Sequence, residues 1–211
     1  MDLEDLKKIK EKFQGKIYFD YNIRKLNWFN IGGSAAIYFR PENLQDLILF
    51  LNFYKNRGKI FIIGAGSNIL FKDQKYEGVV IKLTKSFSNI SLLNQNTIVA
   101  GSGVLDKTIS EFAMNNNIGG LEFLSCIPGT IGGGIRMNTG CFGREIKDIL
   151  VSVQVLDMTG KVRTIPRKEI NFGYRKCDLP YDLIFLSASF KGEYKNKKII
   201  KEEIFFLKNK K

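Results

Sequence analysis

Apolar side chains recur at helical spacing in two early segments of the chain. The first pattern predicts an amphipathic helix over residues 2–14. The second predicts a helix capped by Asn43 that runs to about Arg57, with Gly58 just beyond its end. That second helix would pack one apolar face on a sheet, formed by Leu44, Leu47, Ile48, Leu51 and Tyr54.

Short apolar runs between turn residues predict strands along the rest of the chain. Residues 59–63 are expected to form a short buried strand that leads into a glycine loop. The predicted strands cover residues 35–39, 59–63, 79–83, 90–93, 97–100, 151–157, 161–166 and 183–190, and further helices are expected over 106–117 and 193–207. Because helices and strands alternate irregularly, with local hairpins, the pattern favours an α+β fold with two lobes over a regular βαβ array.

The chain of 211 residues contains no histidine, and its 33 Lys and Arg against 21 Asp and Glu give a formal net charge of +12. The absence of histidine excludes Ser-His-Asp and Cys-His nucleophiles, HExxH zinc sites and His-ligated haem. The charge invites a nucleic-acid interpretation, but 25 of the basic residues are Lys and only 8 are Arg, whereas phosphate and base recognition favours Arg. We therefore expect no nucleic-acid partner, and a charge that suits a solvated surface or an anionic ligand.

The cysteines and the first residues indicate the compartment. Cys126, Cys141 and Cys177 are odd in number and widely spaced, which is typical of free thiols in a reducing environment. The N-terminus is charged from its second residue, unlike a signal peptide, and no apolar run approaches the roughly 20 residues of a membrane helix. The sequence thus predicts a cytoplasmic protein, taken as a monomer, without membrane insertion or a metal.

A first glycine loop, Gly64-Ala65-Gly66-Ser67-Asn68, follows the strand predicted over 59–63. It fails the GxGxxG dinucleotide pattern, because Ile69 occupies the third glycine position and no clear amphipathic helix follows. Consecutive small residues after a strand can still direct backbone N–H groups at one anion, with Ser67 and Asn68 as side-chain donors. On its own, such a loop is more often a plain turn.

A second glycine loop, Ile127-Pro128-Gly129-Thr130-Ile131-Gly132-Gly133-Gly134, is followed by Met137-Asn138-Thr139-Gly140. Its glycines cost conformational entropy and lie between apolar residues. They make sense where the backbone approaches a flat or phosphorylated ligand closely. Two such loops in one chain indicate a nucleotide-type cofactor, and the alternative is a tightly packed glycine turn.

Three other residues are ambiguous from the sequence. Arg175 is, on residue type alone, most simply a surface charge. Cys177 is expected to be a buried small hydrophobe unless a base or cation activates its thiol. Trp28, in the aromatic-rich stretch 18–29, is expected in the core rather than in a stacking platform.

Six segments in order carry a resemblance to a known family. They are Asn27-Trp28-Phe29-Asn30-Ile31-Gly32-Gly33, Gly64-Ala65-Gly66-Ser67-Asn68, Gly120-Leu121-Glu122-Phe123, Ile127-Pro128-Gly129-Thr130-Ile131-Gly132-Gly133, Met137-Asn138-Thr139-Gly140 and Gly173-Tyr174-Arg175. Together they resemble the flavoenzyme family of UDP-N-acetylenolpyruvoylglucosamine reductases, also called UDP-N-acetylmuramate dehydrogenases, over roughly residues 20–190.

The resemblance implies a two-lobed FAD-binding fold of the p-cresol methylhydroxylase type. Residues 1–84 would form the first lobe, 85–190 the second, and 191–211 a basic linking helix. Non-covalent FAD would lie between the lobes, with its pyrophosphate on the two glycine loops. The implied cofactor contacts are Gly64, Ala65, Gly66, Ser67, Asn68, Ile127, Pro128, Gly129, Thr130, Gly132, Gly133, Asn138 and Gly140.

The same resemblance implies a reaction. NADPH would give a hydride to the flavin, which would reduce the enolpyruvyl ether of UDP-N-acetylglucosamine in peptidoglycan synthesis. Arg175 would be the catalytic residue, stabilising charge on the substrate carboxylate, with Tyr174 beside the substrate.

The resemblance also implies a third domain, which carries a proton-donating Ser in a Gly-Ser-x-Phe-Lys motif and a late catalytic Glu. This sequence reaches Lys211 without that motif. We therefore expect the FAD-binding portion of such a reductase, with an incomplete catalytic set. The alternatives are an inactive FAD-binding module and another flavin oxidoreductase of the same fold.

Overall fold

The computed structural model describes Leu6, residues 10–55 and residues 57–210. Most of the helix predicted over residues 2–14 lies outside the described residues. Leu6 is helical and buried, and Lys10–Lys12 form one turn of 3-10 helix.

Fifteen strands and four α-helices make up the regular structure of the described residues. The strands are β1 Lys16–Asn22, β2 Ser34–Arg40, β3 Lys59–Ile63, β4 Tyr76–Lys82, β5 Ile90–Asn94, β6 Thr97–Gly101, β7 Ile118–Gly119, β8 Gly140–Cys141, β9 Arg144–Glu145, β10 Leu150–Leu156, β11 Val162–Pro166, β12 Phe172–Gly173, β13 Lys176–Cys177, β14 Ile184–Lys191 and β15 Glu193–Tyr194. The helices are α1 Leu44–Tyr54, α2 Asp106–Asn115, α3 Ile131–Arg136 and α4 Lys197–Asn209.

Two sheets carry the architecture. The first has the strand order β1-β2-β4-β3, with an antiparallel β1–β2 pair and parallel β2–β4 and β3–β4 pairs. The second is antiparallel throughout, in the order β11-β10-β14-β6-β5. The predicted hairpins 90–100 and 151–166 are confirmed as β5–β6 and β10–β11 of this second sheet.

Helix α1 begins where the sequence predicts and ends earlier. Asn43 caps it, since its side-chain oxygen accepts a hydrogen bond from the Asp46 N–H at 2.9 Å. The helix ends at Tyr54, so the prediction that it reaches Arg57 is wrong. The chain turns back towards β3 at that point, through a hydrogen bond from the Arg57 N–H to the Tyr54 carbonyl at 3.1 Å.

Strand β3 matches its predicted bounds but not its predicted burial. It pairs only with β4, and Ile63 is its one buried residue. The prediction of a buried strand is therefore wrong, because the strand lies at the edge of its sheet. The buried end of the strand, at Ile63, leads directly into the first glycine loop.

The later helices differ from prediction at their ends. Helix α2 stops at Asn115, and the left-handed Asn117 (φ 56°) turns the chain into β7. Helix α4 starts at Lys197 rather than at residue 193, because Glu193 and Tyr194 pair with β7 as strand β15. Within the described residues, no helix is long and apolar enough to span a bilayer.

One hydrophobic cluster joins the two sheets. Ile37 and Phe39 of β2 belong to the same group of buried side chains as Leu156 of β10 and Ile184 and Leu186 of β14. The sheets therefore share a core, which fixes the ends of their strands relative to one another. The division into lobes at residue 84, with 191–211 as a linking segment, stays a prediction.

Candidate functional site

The two glycine loops meet in the folded chain. A Cβ placed on Gly64 would lie 2.3 Å from Thr130 Oγ1, so the first loop passes directly over the second. A side chain at position 64 would therefore displace the Thr130 hydroxyl group or the loop that carries it. The sequence predicted each loop, and only the fold brings them together.

The first loop is shaped by a left-handed glycine and exposes backbone donors. Gly66 has φ +73°, and a Cβ there would lie 2.0 Å from the Leu26 carbonyl oxygen. The Gly66 carbonyl accepts a hydrogen bond from the Trp28 N–H at 3.0 Å, which fixes the loop on the preceding turn. The N–H groups of Ala65, Ser67 and Asn68 donate no hydrogen bond within the described part of the chain, and are free to bind an anion. 

The second loop contains a short helix that the sequence analysis missed. Helix α3 starts directly after Thr130, in a run of glycines that disfavours helix. Tertiary hydrogen bonds hold it, because the N–H groups of Ile131 and Gly132 donate to the carbonyls of Val104 and Ser102, both at 2.9 Å. The N–H groups of Thr130 and Gly133 donate none to any described residue.

Gly133 differs from the other loop glycines in its surroundings. The nearest atom to a Cβ built there is Thr130 Oγ1 at 3.6 Å, an ordinary contact. Protein packing therefore does not require glycine at this exposed position. A ligand lying against this face would explain the glycine at position 133, because a side chain there would obstruct the ligand.

Asp106 lies beneath the second loop, at the start of α2. Its side chain is 0% exposed, and neither carboxylate oxygen has a hydrogen-bond partner among the described residues. A Cβ on Gly129 would lie 2.4 Å from its Oδ2 atom, so the loop closes directly over the carboxyl group. Burial raises the pKa of Asp106 to about 7. Nothing in the sequence separated this residue from an ordinary acid in the first turn of a helix.

Residues that follow the second loop in the sequence line a cavity of about 430 Å³. Cationic side chains are contributed by Arg144, Lys147 and Arg175, and acidic ones by Glu145 and Asp148. The remaining lining comes from Gly140, Cys141, Gly143 and Tyr174. The cavity thus joins the segment after the second glycine loop to the Tyr174–Arg175 motif, which lies more than thirty residues further along the chain. Within the described residues, no cluster of His, Cys, Asp or Glu could hold a metal ion.

Tyr174 and Arg175 are the two turn residues of the hairpin formed by β12 and β13. Arg175 has φ 54°, in the left-handed region that glycine favours at such a turn position. Tyr174 is 87% exposed, and its ring centroid lies 5.7 Å from Arg175 Cζ. An arginine held in a strained backbone conformation at the mouth of a cavity points to a functional role.

Asn138 connects the second loop to this hairpin. Its side-chain amide donates to the Gly173 carbonyl and to Glu145 Oε2, each at 3.1 Å. Its Oδ1 atom accepts from the Lys147 N–H at 3.2 Å. The side chain is therefore bonded to protein groups on every side, which the sequence pattern alone did not reveal.

The structure separates other residues from these contacts. Ile127 and Pro128 line a different pocket, of about 220 Å³, together with Lys107, Ser125, Cys126 and Lys208. Trp28 and Phe29 are 61% and 58% exposed, so the expectation that Trp28 belongs to the core is wrong. The reason is the bond to Gly66, which holds this turn beside the first glycine loop.

The cysteines follow their prediction. None of the three forms a disulfide within the described residues, and Cys177 is buried. Burial raises the pKa of its thiol, which disfavours the thiolate. The burial of Cys177 agrees with the expected packing role.

Comparisons with known proteins agree with this geometry. Residues 35–166 match a family described as an FAD binding domain. A UDP-N-acetylenolpyruvoylglucosamine reductase from Pelagibacter ubique is 58% identical over 211 residues, all of this chain and 70% of its own length. One from Rickettsia canadensis is 46% identical over 178 residues, which are 84% of this chain and 60% of that protein. The chain thus spans only part of the curated relatives it matches.

Two solved structures share the fold. The crystal structure of UDP-N-acetylenolpyruvylglucosamine reductase from Thermus caldophilus aligns with a TM-score of 0.80 at 25% identity, over 93% of this chain and 69% of that one. BBE-like 1 from Physcomitrella patens aligns with a TM-score of 0.63 at 16% identity, over 90% of this chain and 44% of that one, a likeness of fold alone. Together with the domain match, they confirm the α+β FAD-binding fold of the p-cresol methylhydroxylase type.

Proposed function

Because the chain belongs to the UDP-N-acetylenolpyruvoylglucosamine reductase family of flavin-dependent oxidoreductases, we propose that it binds FAD non-covalently and serves the NADPH-dependent reduction of UDP-N-acetylglucosamine enolpyruvate to UDP-N-acetylmuramate. The observation that carries the proposal is the meeting of the two glycine loops at Gly64 and Thr130. The segment that follows the second loop then lines, through Gly140, the same cavity as Arg175.

The residues present fit the diphosphate of FAD. Ser67 and Asn68 on one loop, and Thr130 and Gly133 on the other, have N–H groups that donate to no described residue, and the two loops touch at Gly64 and Thr130. Backbone donors from two loops suit the two neighbouring phosphates of a dinucleotide. The open face of Gly133 leaves room for close approach.

FAD held by the two glycine loops would supply the redox chemistry, the transfer of a hydride from NADPH to the enolpyruvyl double bond. Adding hydride to that bond builds negative charge towards the substrate carboxylate. Arg175 would bind this carboxylate through its guanidinium and stabilise the charge as it develops. Tyr174, exposed beside it, would contact the sugar nucleotide.

The proposed roles of this chain are binding FAD and orienting the substrate. The Gly-Ser-x-Phe-Lys motif that carries the family's proton donor is not among the 211 residues. The three cysteines form no disulfide among the described residues, which supports a reducing, cytoplasmic compartment for the reaction.

Flavin binding is testable with the protein's own fluorophore. Trp28 is the single tryptophan of the chain, and its backbone N–H donates a hydrogen bond to the Gly66 carbonyl in the first glycine loop. FAD bound at that loop should therefore quench the fluorescence of Trp28. Titration with FAD should give saturable quenching and a shifted flavin absorption spectrum. A protein that shows neither at saturating FAD would refute the proposal.

Gly133→Ala locates the cofactor on the second loop. Alanine favours helix α3 by up to about 1 kcal/mol over glycine, so the fold should be stable. A methyl group on that face should nevertheless weaken FAD binding by about tenfold, equivalent to about 1.4 kcal/mol. Gly173→Ala is the matched control, because its Cβ would also meet only an ordinary contact, Lys176 Cβ at 3.9 Å. Equal flavin affinity in both variants would remove the second loop from the cofactor site.

Turnover separates the reductase from an inactive flavin-binding module. NADPH oxidation by the FAD-loaded chain should depend on the enolpyruvyl sugar nucleotide. Flavin binding without such oxidation would favour the module for this chain, and oxidation indifferent to the sugar nucleotide would favour another flavin oxidoreductase.

A further inference from the structure

We infer that Asn138 and Glu145 are positioning residues that hold the Tyr174–Arg175 turn against the segment following the second glycine loop. The inference rests on the proposed function and deepens it, because it identifies the side chains that would orient the catalytic arginine. It also assigns Asn138 a different role from the cofactor contact that the family resemblance implies.

Both polar atoms of the Asn138 side chain are hydrogen-bonded to protein groups. Asn138 is 1% exposed, and its backbone is left-handed, with φ 40°. Its two amide N–H bonds are taken by the Gly173 carbonyl and by Glu145 Oε2, and its carbonyl oxygen accepts from the Lys147 N–H. A buried amide with two donors and one acceptor in use specifies the relative position of three segments.

Glu145 fixes the other end of this network. Its carboxylate forms an ion pair with Lys147 and accepts from Asn138, while its own N–H donates to Asp148 Oδ2 at 2.8 Å. The pKa of Glu145 lies below its usual range, first because of the hydrogen bond from Lys147, and further because of Asn138 and the positive charges of Lys147 and Arg175. Arg175 is the smallest of these influences, and both Glu145 and Arg175 line the same cavity.

The turn needs such support from outside. Only two residue pairs, Phe172 with Cys177 and Gly173 with Lys176, join β12 to β13. Arg175 has a backbone conformation that non-glycine residues rarely adopt. The hydrogen bond from Asn138 to the Gly173 carbonyl ties this short, exposed hairpin to the buried part of the protein.

The same side chain connects the hairpin to the proposed cofactor loop. Helix α3 ends at Arg136, and only Met137 separates it from Asn138. The path from Gly133 to Arg175 thus runs through one helix turn and one buried amide. A shift of the turn by even an ångström would misplace a group that must meet a developing charge.

Asn138→Asp and Glu145→Gln test the inference in the full chain loaded with FAD. Aspartate keeps the acceptor for the Lys147 N–H but replaces the donor to Gly173 with a negative oxygen. Hydrogen exchange measured by mass spectrometry over residues 172–177 should then rise by about tenfold or more, because the turn opens more often. Flavin affinity should stay within about threefold of the wild type, since no cofactor contact is removed.

The catalytic readout should follow the exchange. With the enolpyruvyl sugar nucleotide, kcat should fall by about tenfold or more in Asn138→Asp, with a smaller change in KM. Glu145→Gln should show the same pattern more weakly, because glutamine still offers an oxygen to Asn138. If Asn138→Asp fails to fold, Glu145→Gln alone tests whether this network positions the Tyr174–Arg175 turn.

Asn27→Asp is the matched control, since Asn27 is also buried and donates to two backbone carbonyls, those of Arg24 and Ile31. It should leave exchange over residues 172–177 unchanged. Weaker flavin binding in Asn138→Asp with unchanged exchange would overturn the inference and make Asn138 a cofactor ligand. If the wild type binds FAD but does not turn over, the proposed reaction fails for this chain, and the exchange data still decide the positioning role.

Discussion

Asp106 gives the sharpest quantitative prediction. Its carboxyl group is fully buried beneath Gly129 with no hydrogen-bond partner among the described residues, and Asp106→Asn would remove its ability to ionise while keeping its shape. The variant should therefore be more stable than the wild type at neutral and alkaline pH. In acid, where the wild-type carboxyl group is also neutral, the advantage should vanish.

The magnitude follows from the pKa. Burial raises the pKa of Asp106 from 3.8 to about 7. Each unit by which the pKa differs between the folded and unfolded states is worth about 1.4 kcal/mol. Because the folded state binds the proton more tightly, the wild type loses stability as the pH rises from about 4 to about 7, by about 4 kcal/mol in total. Above about pH 7 the folded carboxyl group ionises and no further loss occurs.

Urea unfolding followed by far-ultraviolet circular dichroism, at several values between about pH 4 and pH 8, measures this difference. The free energy of unfolding of Asp106→Asn, minus that of the wild type, should increase steadily with pH and then level off. The slopes of the two urea transitions should be equal, since the amount of surface exposed on unfolding does not change.

Asp46→Asn is the control, because Asp46 is also buried but its carboxylate accepts from the N–H groups of Gln14, Gly15 and Glu42 at 3.1, 2.8 and 3.0 Å. Asparagine would direct an amide donor at these N–H groups and should destabilise the protein by about 1–3 kcal/mol at neutral pH. Parallel stability curves for Asp106→Asn and the wild type across the whole pH range would refute the argument, since they would mean that Asp106 is as readily ionised in the fold as outside it.

Three further substitutions test other parts of the molecule. Arg175→Gly should raise the free energy of unfolding by about 1 kcal/mol, because glycine accepts a positive φ, and should reduce kcat in the NADPH assay by about a hundredfold or more; an active variant that is no more stable than the wild type would contradict both expectations. Gly64→Ala, whose Cβ would lie 2.3 Å from Thr130 Oγ1, should weaken FAD binding by about tenfold or more, in fluorescence titration, through overpacking between the loops. Glu122→Gln removes the ion pair with Lys195 at 3.2 Å and should speed hydrogen exchange in α4. Unchanged protection of α4 would disprove this expectation.

Several elements of the fold could be predicted because their signals are local. The hairpins β5–β6 and β10–β11 follow from alternating runs around turn residues, and the start of α1 follows from the capping side chain of Asn43. The order of six short motifs identified the family, because such motifs depend on residue type and spacing along the chain.

Other features depend on neighbours distant in sequence. Helix α3 forms in a glycine-rich segment because Val104 and Ser102 accept its first N–H groups. Trp28 lies outside the core because its backbone bonds to Gly66. The carboxyl group of Asp106 is isolated from partners by a loop that begins more than twenty residues later, so no local pattern could indicate its raised pKa.

The sequence by itself determined which groups are available: two glycine loops rich in backbone donors, a Tyr-Arg motif, three widely spaced cysteines and no histidine. Only the tertiary structure decided which of these groups meet. It brings Gly64 onto Thr130, encloses Asp106 beneath Gly129, and ties the Arg175 hairpin to Asn138. The reason is physical: donors and charges are properties of single residues, whereas a binding site and a shifted pKa depend on distances of a few ångströms between residues that the chain keeps far apart.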